Sequence, residues 1–350
     1  MSEAREATTE VLIVGLGEIG CDLAARCNVP GATRRFVLFE PPALATFPED
    51  QTLWLGGEGE RTDEMDPEAM RLAGQGAGER LATEAAGLAF LFVAAGGQTA
   101  SVVAPAIVSE LRAAGSTALA VVLDPLPFEG ALRAQMAAEA HGELEVVADI
   151  VLNLPNRPVA EICDPDLPVA EGLEELKGKV AEAVGQLAVA LTCPSCVGLR
   201  PAELRASLAD AGRAALGVGH GEGERRVEKA IRDACANSFL SQETCQRASA
   251  ALLHLFGGSD VSLNEVHGAA DLVTQLVGRV PIQVGLTTLP DETGVRATLL
   301  VTGIRPQEIS PRGLEDLNIA GGHDELTFYD GVNLEVPAYM RRRPLSRQRA

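Results

Sequence analysis

Residues 11–20 read Val-Leu-Ile-Val-Gly-Leu-Gly-Glu-Ile-Gly. A short, unbroken apolar run that is rich in β-branched residues and ends in glycine is the pattern of a strand buried on both faces, as strands of parallel sheets are. Gly15, Gly17 and Gly20 form a GxGxxG, and an Ala-rich helix follows. Between a strand and a helix such glycines make a phosphate cradle. They let the backbone approach the phosphates, and the helix N-terminal amides and dipole favour negative charge. Glu40 closes a second apolar run, 20 residues after Gly20, where an acid would hold a ribose hydroxyl. On these residues alone three readings stand: a dinucleotide fingerprint for NAD, a site for another nucleotide, or glycines that only let helix and strand pack closely.

Outward from this stretch, strands at 35–40, 88–95, 117–123 and 147–154 alternate with helices at 67–86, 103–114 and 129–140. Such alternation predicts an α/β, Rossmann-like parallel sheet with helices on both faces. Residues 85–109 carry no charge, but Gly96-Gly97-Gln98-Thr99 and Ser101 interrupt them, as in a strand, turn and helix start rather than a membrane span. A long helix spans 172–191 and is broken by Pro194 and Pro201, with further helices at 202–214 and 224–237. Strands at 250–256, 279–286 and 295–302, with a helix at 263–276, make a smaller α+β unit. The expected organisation is an N-terminal extension (1–10), a nucleotide-binding domain (11–171), a central helix (172–191), a C-terminal α+β domain (192–304), a linker (305–334) and a C-terminal peptide with a basic tail (335–350).

Composition narrows the function classes. Apolar residues are 46% and aromatics 3% of the 350, so the cores are built from Ala, Val and Leu. A net charge of −20 argues against a general nucleic-acid binder. The first ten residues hold three Glu and no apolar core, which predicts no secretory leader. With seven cysteines, an odd number, this predicts a reducing, cytoplasmic setting. Cys193 and Cys196 form one CxxC with no second pair beside it, and the five His are scattered, so no metal site is expected.

Four further stretches carry a more specific signal. Residues 92–105 run Phe-Val-Ala-Ala-Gly-Gly-Gln-Thr-Ala-Ser-Val-Val-Ala-Pro, and 125–133 run Pro-Leu-Pro-Phe-Glu-Gly-Ala-Leu-Arg. Residues 149–157 run Asp-Ile-Val-Leu-Asn-Leu-Pro-Asn-Arg, and 217–230 run Gly-Val-Gly-His-Gly-Glu-Gly-Glu-Arg-Arg-Val-Glu-Lys-Ala. In order, these resemble four features of the FtsZ family of the tubulin superfamily: the GGGTGTG signature loop with its Ala-Ala-Pro, the PFxFEGxxR segment, the strand and Pro-Asn loop, and the GIGxAxGExRAxxA stretch. Residues 74–86 resemble its GAGxxPxxG phosphate loop, and 251–303 its second domain. The resemblance implies a tubulin/FtsZ fold, GTP or GDP with Mg2+, and GTP-dependent head-to-tail filament assembly with catalytic acids supplied by the next subunit. It places nucleotide contacts at Gly15, Gly17, Gly20, Asp22, Gly76, Gly96, Gly97, Thr99, Ser101, Glu129, Arg133 and Asn156.

The match is uneven. The family's GGGGGN is here Gly17-Glu18-Ile19-Gly20-Cys21-Asp22, whose side chains crowd the phosphates and whose Glu18 repels them. Gln98, Ala100 and Val102 replace glycines of the signature loop, and Glu40-Pro41-Pro42 replaces its Asn-Thr-Asp. Leu173 and Gly178 stand where the family holds guanine with an aromatic and an Asp. The catalytic NxDxxD becomes Gly198-Leu199-Arg200-Pro201-Ala202-Glu203: Glu203 keeps the second acid, while Arg200 replaces the first with a group that cannot act as a base. The expectation is a degenerate site that binds nucleotide weakly or not at all, with impaired hydrolysis.

Residues 335–343, Glu-Val-Pro-Ala-Tyr-Met-Arg-Arg-Arg, resemble the family's C-terminal peptide. Val336, Pro337, Tyr339 and Met340 would form the apolar anchor for a membrane-tethering or division adaptor. Arg341, Arg342 and Arg343 would add attraction to an acidic partner or anionic membrane. The expected partners are therefore a second copy of the chain, an adaptor or the inner membrane face, and another FtsZ, with no nucleic acid. Rival readings are an active GTPase with altered loops and a non-catalytic scaffold of another FtsZ. A NAD-binding Rossmann protein is a more distant one.

Overall fold

The computed structural model describes residues 10–40, 47–56, 65–84, 87–154, 167–193, 201–236, 240–289, 292–305, 328–329 and 332–333, without the side chains of 127, 201, 202, 205, 328, 329, 332 and 333. Residues 1–305 and 306–350 form two separate units.

In the first unit β1 (Glu10–Leu16), α1 (Gly17–Arg26), β2 (Thr33–Leu38) and β3 (Thr52–Trp54) are followed by α2 (Pro67–Ala82) and β4 (Gly87–Ala94). A π-helical turn, Thr99–Val103, leads into α3 (Ala104–Ala113). Then come β5 (Thr117–Leu123), α4 (Ala131–Val147), β6 (Ile150–Leu154) and the long α5 (Val169–Thr192). The second half holds α6 (Pro201–Leu208), β7 (Gly212–Gly221), α7 (Arg226–Ala236), α8 (Gln242–Arg247), β8 (Ala250–Gly257), α9 (Leu263–Val277), β9 (Ile282–Thr288) and β10 (Val295–Thr302).

These strands form one sheet in the order β3-β2-β1-β4-β5-β6-β7-β10-β8-β9. It is parallel from β3 to β7, and β10 runs antiparallel to β7 and to β8. The expected α/β architecture is present. In the second unit only a two-stranded hairpin is described, β11 (Phe328–Tyr329) with β12 (Val332–Asn333), inside the span expected to be a linker.

The unbroken apolar strands are explained by two filled faces. Leu12, Val14 and Leu16 of β1 join Leu91 and Val93 of β4 under Met70 of α2 and Ile107 and Leu111 of α3. Ile13, Phe90 and Phe92 point the other way, onto Leu23 of α1 and Val180, Val184 and Leu187 of α5. Each such side chain contributes about 1.5–3 kcal/mol when fully buried. Of α5, 24 residues and so about 36 Å long, the face Leu176, Val180, Val184, Leu187 and Leu191 is buried at helical spacing.

Two expectations are corrected. The helix expected over 202–214 ends at Leu208, because Asp210 (φ 54°) and Gly212 (φ 69°) turn the chain into a strand. That strand, β7, was not expected because Gly217, Gly219 and Gly221 lower strand propensity. The glycines serve packing: a Cβ on Gly219 would collide with the backbone of Ala230 and Ala234, and one on Gly221 with Arg226, so α7 lies directly on the strand. The helix expected over 129–140 runs on to Val147, which shortens β6.

The β6–β7 junction rests on Asp149, whose side chain is 6% exposed. Its carboxylate accepts the Ala118 N–H at 2.8 Å and pairs with Arg112 at 3.1 Å, and Arg112 also pairs with Asp210.

Candidate functional site

Strands β2 and β3 lie on one side of β1, and β4 to β6 on the other. The sheet reverses its winding between β1 and β4, and the crevice outside the carboxyl ends of such strands is where α/β sheets bind ligands. The loop after β1 and the loop after β4 meet there: the Cβ position of Gly17 lies 4.0 Å from Thr99 Cγ2. Gly17 opens α1 with φ 71°, and Thr99 opens the turn that continues into α3. Two helix N-termini, with the positive ends of their dipoles, thus converge on one point, an arrangement suited to an oxyanion.

The remaining glycines divide by role. A Cβ on Gly15 would strike the backbone of Cys21, and one on Gly20 the carbonyl of Phe92, so both seat α1 against β1 and β4. Gly96 has φ 98° and lies 3.2 Å, by its Cβ position, from Arg133 Cβ. Gly97 has open space around it, and its carbonyl accepts from Ala100 and Ser101 at 3.1 and 3.4 Å. Gln98, which fills a glycine position of the resembled loop, buries an Oε1 with no hydrogen-bond partner. Glu129 accepts the Leu126 N–H at 2.7 Å and pairs with Arg133 at 2.5 Å, so the guanidinium near Gly96 is already engaged.

Gly76 falls in the middle of α2, not in a loop. Its neighbours Gly74 and Gly78 let α2 press on Val103 and on Ile107 and Glu110 of the α3 segment. The expected phosphate loop at 74–86 is therefore helical over 74–82. The signal was available: the resembled pattern contains a proline, which 74–86 lacks and which Pro67, at the start of α2, supplies. Asn156, Arg200 and the tail residues Val336, Pro337, Tyr339, Met340, Arg341, Arg342 and Arg343 lie outside the described residues.

Asp22 belongs to an arrangement that sequence reasoning missed. Its Oδ1 takes Arg26 Nε at 2.7 Å and its Oδ2 takes Lys177 Nζ at 2.9 Å. Lys177 also holds Glu174 at 2.8 Å, and Glu174 returns to Arg26 at 2.6 Å. The four groups form a closed ring of alternating charge between α1 and α5. Burial pushes the Asp22 carboxyl up, but hydrogen bonds from Arg26 and Lys177 outweigh it and leave the group below its ordinary range. Burial likewise opposes the charge on Lys177, and its bonds to Glu174 and Asp22 prevail and raise it.

Leu173 and Gly178 flank this ring on α5, at the positions where the resemblance puts guanine recognition. The two ends of the site therefore differ. The paired helix N-termini suit phosphates, whereas the α1–α5 face spends the polar groups of Asp22, Arg26, Glu174 and Lys177 on one another, with Leu173 and Gly178 beside them.

Glu203 stands exposed in the first turn of α6. The Gly212 N–H donates to Asp149 O at 2.9 Å, which places the α6–β7 turn at the amino-terminal edge of the parallel strands. That edge is opposite to Gly17 and Thr99, so one chain does not bring Glu203 to the point where the β1 and β4 loops meet. Among the described residues no group of His, Cys, Asp and Glu could hold a metal ion, and no helix is long and apolar enough to cross a membrane.

Comparison with known proteins agrees with this architecture. The C-terminal domain of the FtsZ family matches residues 212–305. Cell division protein FtsZ 1 of Pyrococcus woesei is 29% identical over 310 residues, 86% of this chain and 84% of that protein. An empty FtsZ dimer of M. jannaschii superposes with a TM-score of 0.73 at 23% identity, covering 86% of this chain and 90% of that one. A GTPγS-bound protofilament of CetZ2 from Haloferax volcanii superposes at 0.72 with 20% identity, covering 85% and 94%. Strand order, the meeting of the β1 and β4 loops at the reversal of winding and these relatives together support a divergent FtsZ-like protein of the tubulin superfamily.

Proposed function

We propose that this cytoskeletal protein assembles head to tail with copies of itself, through a nucleotide site that keeps its phosphate cradle and has lost guanine recognition. The observation that carries the reading is the Arg26–Asp22–Lys177–Glu174 ring, which ties α1 to α5 where a base would be recognised. The dimer and protofilament forms of its structural neighbours support self-association. Head-to-tail contact would carry the Glu203 edge of one copy toward the cradle of the next. With Arg200 in place of the first acid, that junction joins subunits and supports GTP hydrolysis slowly or not at all. The 335–343 segment couples the assembly to an adaptor or to anionic lipid at the inner membrane face.

The test is the nucleotide content of the purified protein, with and without added Mg2+, beside GTP turnover and sedimentation. The expected result is little GTP or GDP, slow turnover and pelleting assemblies. Stoichiometric GTP with turnover on the order of 1 per second, as in ordinary phosphoryl-transfer enzymes, would overturn the reading. The ring also suits a second reading, a scaffold that pairs with another FtsZ; co-sedimentation with that FtsZ regardless of GTP would favour it.

A further inference from the structure

On the sheet face opposite α5, a cavity of about 120 Å³ lies over the seam where β6, β7 and the end of β10 run side by side. Arg213, Arg247 and Arg305 line it together with Asn153 and Thr244, and no carboxylate does. Several arginines elsewhere in this chain of net charge −20 sit in ion pairs, among them Arg26, Arg35, Arg112, Arg226 and Arg232. Here Arg213 pairs with Glu145, but Arg247 and Arg305 have no carboxylate partner among the described residues. Arg247 Nη1 donates to the Arg305 backbone carbonyl at 3.5 Å, and the Arg305 N–H donates to the Arg247 carbonyl at 3.3 Å, so the two residues are tied side by side at the rim. Arg247 Nε and Asn153 Oδ1 are both buried and both lack a partner.

A buried unpaired donor, a buried unpaired acceptor and two uncompensated guanidiniums describe the complement of one ligand class. We propose that this pocket binds a compact, protonated tetrahedral oxyanion of the phosphate type. Its oxygens accept from Arg247 Nε–H and from the guanidinium N–H groups, and its P–OH donates to Asn153 Oδ1. The volume is below the roughly 300–1,000 Å³ of ordinary organic-ligand pockets, which excludes a nucleoside. The site is separate from the cradle at Gly17 and Thr99, so it stands whether or not the nucleotide reading holds.

The experiment titrates the full-length protein with inorganic phosphate, with sulfate and with glycerol phosphate by calorimetry and by thermal unfolding. Phosphate should bind and raise the unfolding temperature in proportion to its concentration, as any ligand of the native state does. Sulfate, which has no proton to give Asn153, should bind at least tenfold more weakly. Glycerol phosphate binding as tightly as phosphate would assign the site to phosphomonoesters, and weaker binding to the free ion; either supports the proposal. Arg247→Gln should weaken phosphate at least tenfold. Arg305→Gln, at an exposed residue whose replacement leaves packing intact, should do the same while unfolding normally without phosphate. Unchanged phosphate affinity in both variants, or sulfate binding equal to phosphate, would overturn it.

Discussion

Lys177→Met tests the ring between α1 and α5 most directly, because it keeps the side chain's length and removes only its charge. The ammonium holds Asp22 at 2.9 Å and Glu174 at 2.8 Å. Exposed ion pairs are worth about 0.2–1 kcal/mol each. Asp22 and Lys177 are 21% and 23% exposed, so their pair belongs at the upper end, while Glu174, 53% exposed, adds little. The substitution should therefore destabilise by about 1 kcal/mol at neutral pH.

The pH dependence has a definite sign. Asp22 titrates below its ordinary 3.8, because the bonds from Arg26 and Lys177 outweigh burial. A depressed carboxyl contributes stability that is complete above the unfolded pKa and disappears as pH falls through the folded one. Urea unfolding of the two proteins should show a constant gap near neutrality that closes only once Asp22 protonates, below the ordinary carboxylate range. A gap that does not change with pH, or that persists undiminished in an Asp22→Asn background, would show that Lys177 acts by packing and that no ring exists.

Other perturbations report on the frame around the site. His254 is buried beside Thr287 Oγ1 at 3.0 Å, and burial pushes its pKa down to about 4. A depressed imidazole makes the unfolded state take up the proton first, so stability should fall by about 2 kcal/mol between neutral pH and about pH 5. In a His254→Gln variant, urea midpoints should lose that component of the acid sensitivity. Asp149→Ala removes the buried partner of the Ala118 N–H and of Arg112, and should cost about 3 kcal/mol in chemical denaturation. A loss under about 1 kcal/mol would mean that the β6–β7 junction does not depend on that carboxylate.

The parallel half was legible because its strands are buried on both faces and its helices show a helical period; both are local properties of the chain. The runs at 11–15, 88–95 and 117–123 became β1, β4 and β5 nearly residue for residue. That the loops after β1 and β4 carry Gly17 and Thr99 was legible for the same reason, since each follows a recognisable strand. Failures came where a local signal served a distant contact. Glycines at 217, 219 and 221 argued against a strand, and only the position of α7 explains those at 219 and 221. The glycines at 74, 76 and 78 read as a phosphate loop, whereas two of them are the flat side of a helix pressed on α3.

The residue types in order along the chain were enough to determine the alternation of elements and the glycine-bearing turns after β1 and β4. The crossing of α5 over α1 was decided only by tertiary structure. It brings Lys177 to Asp22 across more than 150 residues of chain, a pairing no spacing rule encodes. A side chain's periodicity shows which face it occupies, but the charge that meets it depends on which helix packs there, and that is settled by burying both faces of the sheet at once.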